Sequence, residues 1–375
     1  MTNPPATNNA RSVSVDTEQT RDLRTRMVDA LVKDGSLTDE QWTAVFLEVP
    51  RHALVPEYYE GGTHIAGETS RDAWLQAVYS DTTLITQRQH GAPSSSGTMP
   101  SLVATMLEAL NVEDGDRVLQ VATGTGYTAA LLCERLGSAN VTSIDVDPDL
   151  TAAAWERLYR CGYQPTIITA DGNHGYARNA PYDRCIVTFG VTRVPPAWIE
   201  QTRTGGTIVA PVCNGLAQLT VTGPRTAQGR FIGAGYFIRH REPTPAPQIS
   251  PPAPLAEQPT WPERTTDLPS SVYYDANFRF VLSFTHLDLV PAFRDGNLYD
   301  LTLIAPDGSH AHITPDGQLT QTGQRQVWDD IERTHATWQD LGAPARERFG
   351  LTVTADDQQV WLDSPESPHR WPLPA

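Results

Sequence analysis

The run Gln120-Val121-Ala122-Thr123-Gly124-Thr125-Gly126-Tyr127 places two glycines where an apolar strand-like segment gives way to a helical one. Glycine there lets the backbone approach a ligand closely, although short glycine turns also close many βα units for steric reasons alone. Asp145 ends the next apolar run, 19 residues after Gly126. A carboxylate at that point can take both ribose hydroxyls of a nucleoside. Asp171-Gly172 follows a third run, where a loop carboxylate can reach an adenine amino group. Three such positions at the carboxyl ends of successive parallel strands define one crevice and predict an adenosine ligand. The absence of Gly-x-x-x-x-Gly-Lys-Ser/Thr disfavours a nucleoside triphosphate, whereas the Gly-x-Gly-x-x-Ala spacing from Gly124 to Ala129 would suit a pyrophosphate. These residues alone leave a dinucleotide and S-adenosylmethionine both open.

The elements that must hold these residues alternate in the βαβ manner between Gly115 and Pro211. Strands are predicted at Arg117–Val121, Val141–Asp145, Thr166–Thr169, Arg184–Phe189 and Thr207–Pro211, with helices near Tyr127–Leu136, Asp149–Cys161 and Pro196–Thr202. The near-continuous apolar character of the early strands fits a parallel sheet covered on both faces. Gln218–Thr222 and Phe231–Ile238 could finish it. Ahead of it, Leu23, Met27, Leu31 and Val32 recur at helical spacing, and Thr38-Asp39-Glu40-Gln41 reads as a capping box, so an N-terminal helical cap is expected. Residues 1–16 carry no apolar period and are expected to be a disordered tail. From Glu242 to Glu263 eight of 22 residues are proline, which marks a linker over 242–269. Beyond it, 270–375 is expected to be a smaller α+β domain. Ser271–Leu289, Leu298–Ala305 and His310–Thr314 read as hairpins, Arg325–Leu341 as a helix and Leu351–Leu362 as a strand pair. The fold class is therefore α/β, a doubly wound Rossmann-like sheet over 17–241 with a helical cap and an added C-terminal domain.

The 375 residues carry a net charge of −16, a field that repels phosphate backbones and anionic headgroups, so nucleic acid and membranes are not expected partners. No run approaches the roughly 18 apolar residues of a membrane span, and no apolar signal region stands at the N-terminus; a cytoplasmic protein, favoured as a monomer, is expected. The four cysteines (Cys133, Cys161, Cys185, Cys213) lie far apart in apolar segments, as reduced buried thiols do. His310-Ala311-His312 lacks a third ligand pattern, and no metal is assigned.

Val49-Pro50-Arg51-His52-Ala53-Leu54-Val55-Pro56, Tyr79-Ser80-Asp81 and Pro100 to Glu108, followed by the glycine motif, Asp171-Gly172, Ala180-Pro181-Tyr182-Asp183 and Gly205-Gly206, resemble in order and spacing the protein-L-isoaspartate O-methyltransferases. The resemblance covers roughly residues 20–240. It implies S-adenosyl-L-methionine as cofactor and methyl transfer to a side-chain carboxylate of a peptide. It also implies cofactor contacts at Thr123, Gly124, Thr125, Gly126, Tyr127, Asp145, Asp171, Gly172 and Gln218. The family's hydroxyl motif, read back from Pro100, falls on Ser96-Gly97-Thr98, which makes Ser96 and Thr98, with Ser95 in reserve, the candidates for orienting the acceptor. Asp81 is expected to cap or brace the loop beside them.

Three departures bear on function. Gln120 and Ala122 stand where family members usually carry glutamate and glycine; the stretch before Ser96 is rebuilt; and Phe237-Ile238-Arg239-His240-Arg241 replaces an apolar strand end. Arg239 and Arg241 at the cleft mouth could hold an acidic peptide. Such additions are associated with the isoaspartyl-methyltransferase-like enzymes of ribosomal-peptide maturation. The expected partner is therefore an acidic ribosomal precursor peptide with an aspartate acceptor, whose methyl ester closes to a succinimide or gives isoaspartate. On this reading the C-terminal domain recognises the peptide. The alternatives are repair of isoaspartyl damage in any unfolded chain and a non-catalytic leader-binding adaptor.

Overall fold

The computed structural model describes residues 16–239, 260–293 and 297–373. Of the expected tail, residues 1–15 lie outside the described residues and Asp16 is described. Asp16 is held by Arg24 at 2.7 Å, and Thr17 with Thr20 forms a reciprocal capping box that starts helix α1 (Glu18–Asp34). Helix α2 (Glu40–Glu48) is capped by Asp39, whose carboxylate accepts the Trp42 N–H at 2.8 Å. After α3 (Arg51–Leu54), the strands β1 (Glu57–Glu60) and β2 (Thr63–Ala66), helix α4 (Arg71–Val78), and strands β3 (Leu84–Gln89) and β4 (Ala92–Gly97) build a four-stranded sheet in the order β2-β1-β3-β4. The β3–β4 hairpin turns at His90-Gly91, with φ of 51° and 81°, the left-handed pair that a two-residue turn needs to match strand twist. Helix α5 (Pro100–Leu110) follows at once.

The central sheet is built from β5 (Val118–Val121), α6 (Tyr127–Leu136), β6 (Val141–Asp145), α7 (Pro148–Arg160), β7 (Thr166–Thr169), β8 (Tyr182–Val187), α8 (Pro196–Gln201), β9 (Thr202–Val212), β10 (Gly215–Gly223) and β11 (Thr226–Ala234). Strands β7-β6-β5-β8-β9 are parallel, and β10 and β11 add antiparallel. Strands β5 and β6 are buried at every position, and their polar residues Gln120 and Ser143 are paired with each other inside the sheet. The chain passes from β5 to β6 on one side and reaches β8 on the other, so a crevice opens at the carboxyl end of β5, where doubly wound sheets bind ligands.

The C-terminal part holds the expected smaller α+β unit: β12 (Arg264–Thr265), α9 (Ala276–Thr285), β13 (Val290–Phe293), β14 (Leu301–Ile304), β15 (His310–Ile313), β16 (Gln318–Thr322) and α10 (Val327–Asp340), with sheet order β12-β16-β15-β14-β13. Its boundaries differ from the sequence reading at both ends. Residues 260–269, assigned to the linker, already pair with β16 through Thr260 and β12; 240–259 lie outside the described residues. At the other end, β17 (Phe349–Val353), β18 (Gln358–Leu362) and β19 (Arg370–Pro372) leave this unit and extend the central sheet to ten strands, β17 pairing with β11 from Ala227↔Val353 to Arg230↔Gly350. Strand patterning tells which residues extend but not which sheet they join. The cores merge too: Phe280 of α9 packs 4.7 Å from Phe231 of β11 and 5.5 Å from Phe349. A cut near Arg241 would therefore strip core from the catalytic sheet as well as remove any docking role. Ser271–Leu289, read as a hairpin, contains helix α9. The Asp275 carboxylate caps the Asn277 and Phe278 amides, and burial of Phe278, Val281, Leu282 and Phe284 outweighs the β preference of the aromatics.

Candidate functional site

A cavity of about 870 Å³, open to solvent, lies at the crevice between the carboxyl ends of β5, β6 and β8 and the far end of β4. One wall is the turn from Gln120 to Thr125 together with Ile144-Asp145-Val146; the opposite wall is Ser94 to Thr98; Thr188-Phe189, Gly172 and Ile238-Arg239 close the rim.

The first wall is tied together internally. The Gly124 N–H donates to Asp145 Oδ2 at 2.9 Å and the Asp147 N–H to Oδ1 at 3.1 Å, so the Asp145 carboxylate at the strand end braces the glycine turn. Below it, Thr123 Oγ1 and Ser143 Oγ share a hydrogen at 2.7 Å. Ser143 donates to Gln120 Oε1 at 3.0 Å, and Gln120 Nε2 donates to the Ala122 carbonyl at 3.2 Å. That last bond explains Gln120: a carboxylate would meet the carbonyl as acceptor against acceptor. Ala122 itself sits at φ 72°, a left-handed conformation that disfavours any residue with a Cβ. Gly124 also has a positive φ, 52°, and a Cβ there would come within 3.7 Å of Ser95 Oγ and 3.8 Å of the Ser96 carbonyl. The two walls thus approach each other through the bare glycine backbone.

The second wall is strand β4 with the residue that follows it, Thr98. Its outer end is anchored: Ser94 Oγ donates to Gln87 Oε1 at 2.7 Å, while Gln87 and Gln89 donate to Asp147 Oδ2 at 2.9 and 3.2 Å. The rebuilt hairpin is thereby clamped to the loop that follows Asp145. Arg51, fully buried, supports the inner end by donating to the Thr98 carbonyl at 3.0 Å and to the Val78 carbonyl. Burial lowers its pKa, with Tyr127, Tyr79 and Asp81 opposing. Its guanidinium stands 5.5 Å over the Tyr127 ring, and burial drives the Tyr127 phenol far above its ordinary pKa, so this buried hydroxyl stays protonated. Asp81 Oδ1 accepts the Ser101 N–H at 2.8 Å, bracing the start of α5 just beyond Thr98 and away from the cavity. The half-buried hydroxyls of Ser96 and Thr98, by contrast, make no hydrogen bond to the described residues. They remain available to a ligand.

Of the candidates singled out in the sequence, Ser95, Ser96, Thr98, Thr123, Gly124, Thr125, Tyr127, Asp145, Gly172 and Arg239 meet in one cavity. Three of the described candidates, Gly126, Asp171 and Gln218, do not line it. Gly126 caps α6 at φ 90° and lets the turn pack on Leu158 and Ala154. The Asp171 carboxylate accepts the Asn173 N–H at 2.9 Å and lies 3.5 Å from His174, behind the lining Gly172. Gln218 is a correction: on β10 its amide donates to the Ala109 carbonyl at 2.6 Å, bracing α5 against the sheet. Arg241 lies outside the described residues. The sequence reading missed Thr188-Phe189 on the rim, although the strand-order rule points to the residues after β8. It also missed the supports Arg51, Gln87, Gln89 and Asp147, for which spacing gave no signal.

The remaining candidates settle elsewhere. His312 bonds Asp300 at 2.5 Å and His310 the Gly308 carbonyl at 3.1 Å, and no cluster of metal-ligating side chains occurs among the described residues. All four cysteines are free; burial pushes Cys133 and Cys213 to about 12 and Cys161 to about 11, which leaves them thiols. No helix among the described residues is long and apolar enough to cross a membrane.

With this geometry in hand, comparison with known proteins is specific. The sequence profile of the family described as "Protein-L-isoaspartate(D-aspartate) O-methyltransferase (PCMT)" matches residues 22–234. A protein-L-isoaspartate O-methyltransferase of Ignicoccus hospitalis is 35% identical over 191 residues, covering 50% of this chain and 80% of the relative. One of Hyperthermus butylicus is 32% identical over 226 residues, covering 58% and 86%. A solved structure titled protein-L-isoaspartate O-methyltransferase superposes with a TM-score of 0.55 at 22% identity, covering 91% of this chain and all of that one. At that identity the likeness concerns fold, but it extends beyond the profile-matched region and into the C-terminal part.

Proposed function

This chain belongs to the protein-L-isoaspartate O-methyltransferase family, whose members are S-adenosylmethionine-dependent carboxyl O-methyltransferases, and from that premise we propose that it methylates an aspartate side chain in an acidic, ribosomally made precursor peptide. The observation that carries the reading is the meeting, in one cavity, of a braced adenosine-type wall and a wall of open hydroxyls. The residues fit the cofactor. Asp145 offers its carboxylate to ribose hydroxyls, the Gly124 turn gives close backbone approach, and Gln120 presents an uncharged surface beneath the turn. S-adenosylmethionine supplies an electrophilic methyl group on a positively charged sulfur.

An aspartate carboxyl has a pKa of about 3.9 and is ionised at neutral pH, so the acceptor needs no general base. With S-adenosylmethionine held by Asp145 and the Gly124 turn, the donor would supply the methyl group and keep the electron pair of its broken carbon–sulfur bond, so this chain's residues would have no proton to move. Ser96 and Thr98 donate to one carboxylate oxygen and leave the other free to attack. A hydroxyl does this at less cost in nucleophilicity than a lysine ammonium would. Holding the reacting atoms within about 3–3.5 Å and excluding water accounts for the rate. In the ester product, the next backbone nitrogen can attack the carbonyl and expel methanol, giving a succinimide that persists or opens to isoaspartate.

A second reading, repair of isoaspartyl residues in damaged chains, is favoured by the names of the relatives and by a solved family member whose likeness reaches the C-terminal part. A pair of peptides identical but for one aspartyl or isoaspartyl residue separates the two. Methyl ester and succinimide formed on the aspartyl peptide, followed by mass spectrometry, supports precursor modification. Turnover of the isoaspartyl peptide alone replaces it with repair.

A further inference from the structure

We propose that a second cavity, walled by the catalytic sheet on one side and by α9 on the other, is an anion site that grips acidic side chains flanking the acceptor residue. This inference deepens the carboxyl-methylation reading and rests on it. The cavity is open to solvent; Tyr236 and Arg239 come from the catalytic side, and Tyr273, Arg279, Ser283 and His286 from the C-terminal unit. No aspartate or glutamate lines it. That is unusual company for two arginines in a chain of net charge −16. Other arginines of the C-terminal part are spent on carboxylates: Arg264 on Asp329 and Glu332, Arg325 on Asp288 and Asp330, Arg348 on Asp363. Arg239 and Arg279 have no carboxylate partner among the described residues.

Arg279 is held in place all the same. Its guanidinium carbon lies 5.4 Å from the Tyr236 ring centre and 5.7 Å from that of Tyr273, so cation–π contacts orient the fork while its N–H donors are left for an incoming acceptor. Arg346 stacks on Tyr236 too, at 5.8 Å, which adds a third positive charge nearby. Arg239 also lines the methyl-transfer cavity, so the two spaces share a residue. A ligand with one carboxylate at Ser96 and Thr98 and another at Arg279 must be a chain that runs past Arg239. An acidic peptide in extended form has that shape and charge.

The test uses the full-length enzyme and two acceptor peptides of equal length. One has Asp and Glu flanking the acceptor; the other has Asn and Gln at those positions. The expected wild-type result is a lower KM for the acidic peptide, the gap closing as salt rises. Arg279→Gln should raise KM for the acidic peptide about 5–10-fold, with kcat, cofactor affinity and the KM of the neutral peptide unchanged, and Arg279→Lys should recover part of the loss. An equal rise for both peptides would assign Arg279 a merely structural role and overturn the proposal, as would no rise for either. If neither peptide is methylated, the catalytic reading fails separately. Fluorescence anisotropy of the labelled peptides then still decides the anion site, which requires tighter binding of the acidic one and its loss in Arg279→Gln.

Discussion

The two walls of the methyl-transfer cavity are made in opposite ways. On the cofactor wall polar groups are committed to one another: Asp145 to two backbone amides, Thr123 to Ser143, Ser143 to Gln120, Gln120 to Ala122. On the acceptor wall the supports lie behind the strand and at its outer end, while the hydroxyls of Ser96 and Thr98, which line the cavity, are uncommitted among the described residues. A cofactor that is the same in every turnover rewards a preformed site, since the ordering cost is met during folding. An acceptor that arrives on a peptide and leaves altered is better met by groups with free hydrogen-bonding capacity.

The largest effect should come from breaking the committed wall. Asp145→Ala removes the acceptor of the Gly124 and Asp147 amides as well as the ribose partner, and should cost roughly 3 kcal/mol of cofactor binding, about 100-fold in Kd by calorimetry. Asp171→Ala should cost clearly less, because that carboxylate is occupied by the Asn173 amide behind the cavity. Equal losses would mean that Asp171 turns toward the ligand. On the open wall, Ser96→Ala combined with Thr98→Val should lower the single-turnover methylation rate roughly 10–100-fold at saturating cofactor while Kd for the cofactor stays within about twofold. A fall in affinity instead would erase the distinction between the walls.

Two smaller effects sharpen it. Ala122→Gly relieves the left-handed alanine and should stabilise the protein by about 0.5–1 kcal/mol, a rise of roughly 1–2 °C in Tm, with no change in acceptor KM. The smallest expected effect is that of pH. No titrating base lines the acceptor wall, and Tyr127 is held protonated by burial. The chemical rate should then be flat from about pH 6 to 9 and fall only as the acceptor carboxylate protonates near pH 4. A rising limb near neutrality would reveal a base.

The legibility of the molecule follows the same division. Strands β5 and β6, helix α6 and Asp145 were readable because both strands are buried on both faces and the glycine turn has few alternatives, and the edge strand β7, exposed at both ends, was readable from its β-branched run Thr-Ile-Ile-Thr. The acceptor strand was not, since Pro93, Ser94, Ser95 and Ser96 have low strand propensity and are extended through pairing with β3 and the clamp at Asp147. Resemblance placed Ser96 and Thr98 where propensity could not. It misled at Gln218, where the partner is the Ala109 carbonyl, a contact set by how α5 docks on the sheet. Phe278, Phe280 and Phe284 read as strand because their spacing admits both periods, and only the Asp275 cap and the Phe231 contact decide for helix.

The pairing of β11 with β17 bears on the order in which the molecule can be made. During synthesis β11 leaves the ribosome with one edge bare, and the strand that covers it is translated more than a hundred residues later. At roughly 5–20 residues per second the delay is about 6–23 s. Through that interval an unpaired strand edge and the bare face of Phe231 are open to wrong partners, the condition under which nascent chains aggregate or swap strands. Expression yield should therefore depend on chaperone supply and temperature more steeply than for a family member whose sheet closes on its own consecutive strands, and tags placed after residue 373 should be tolerated less well than tags placed before residue 16.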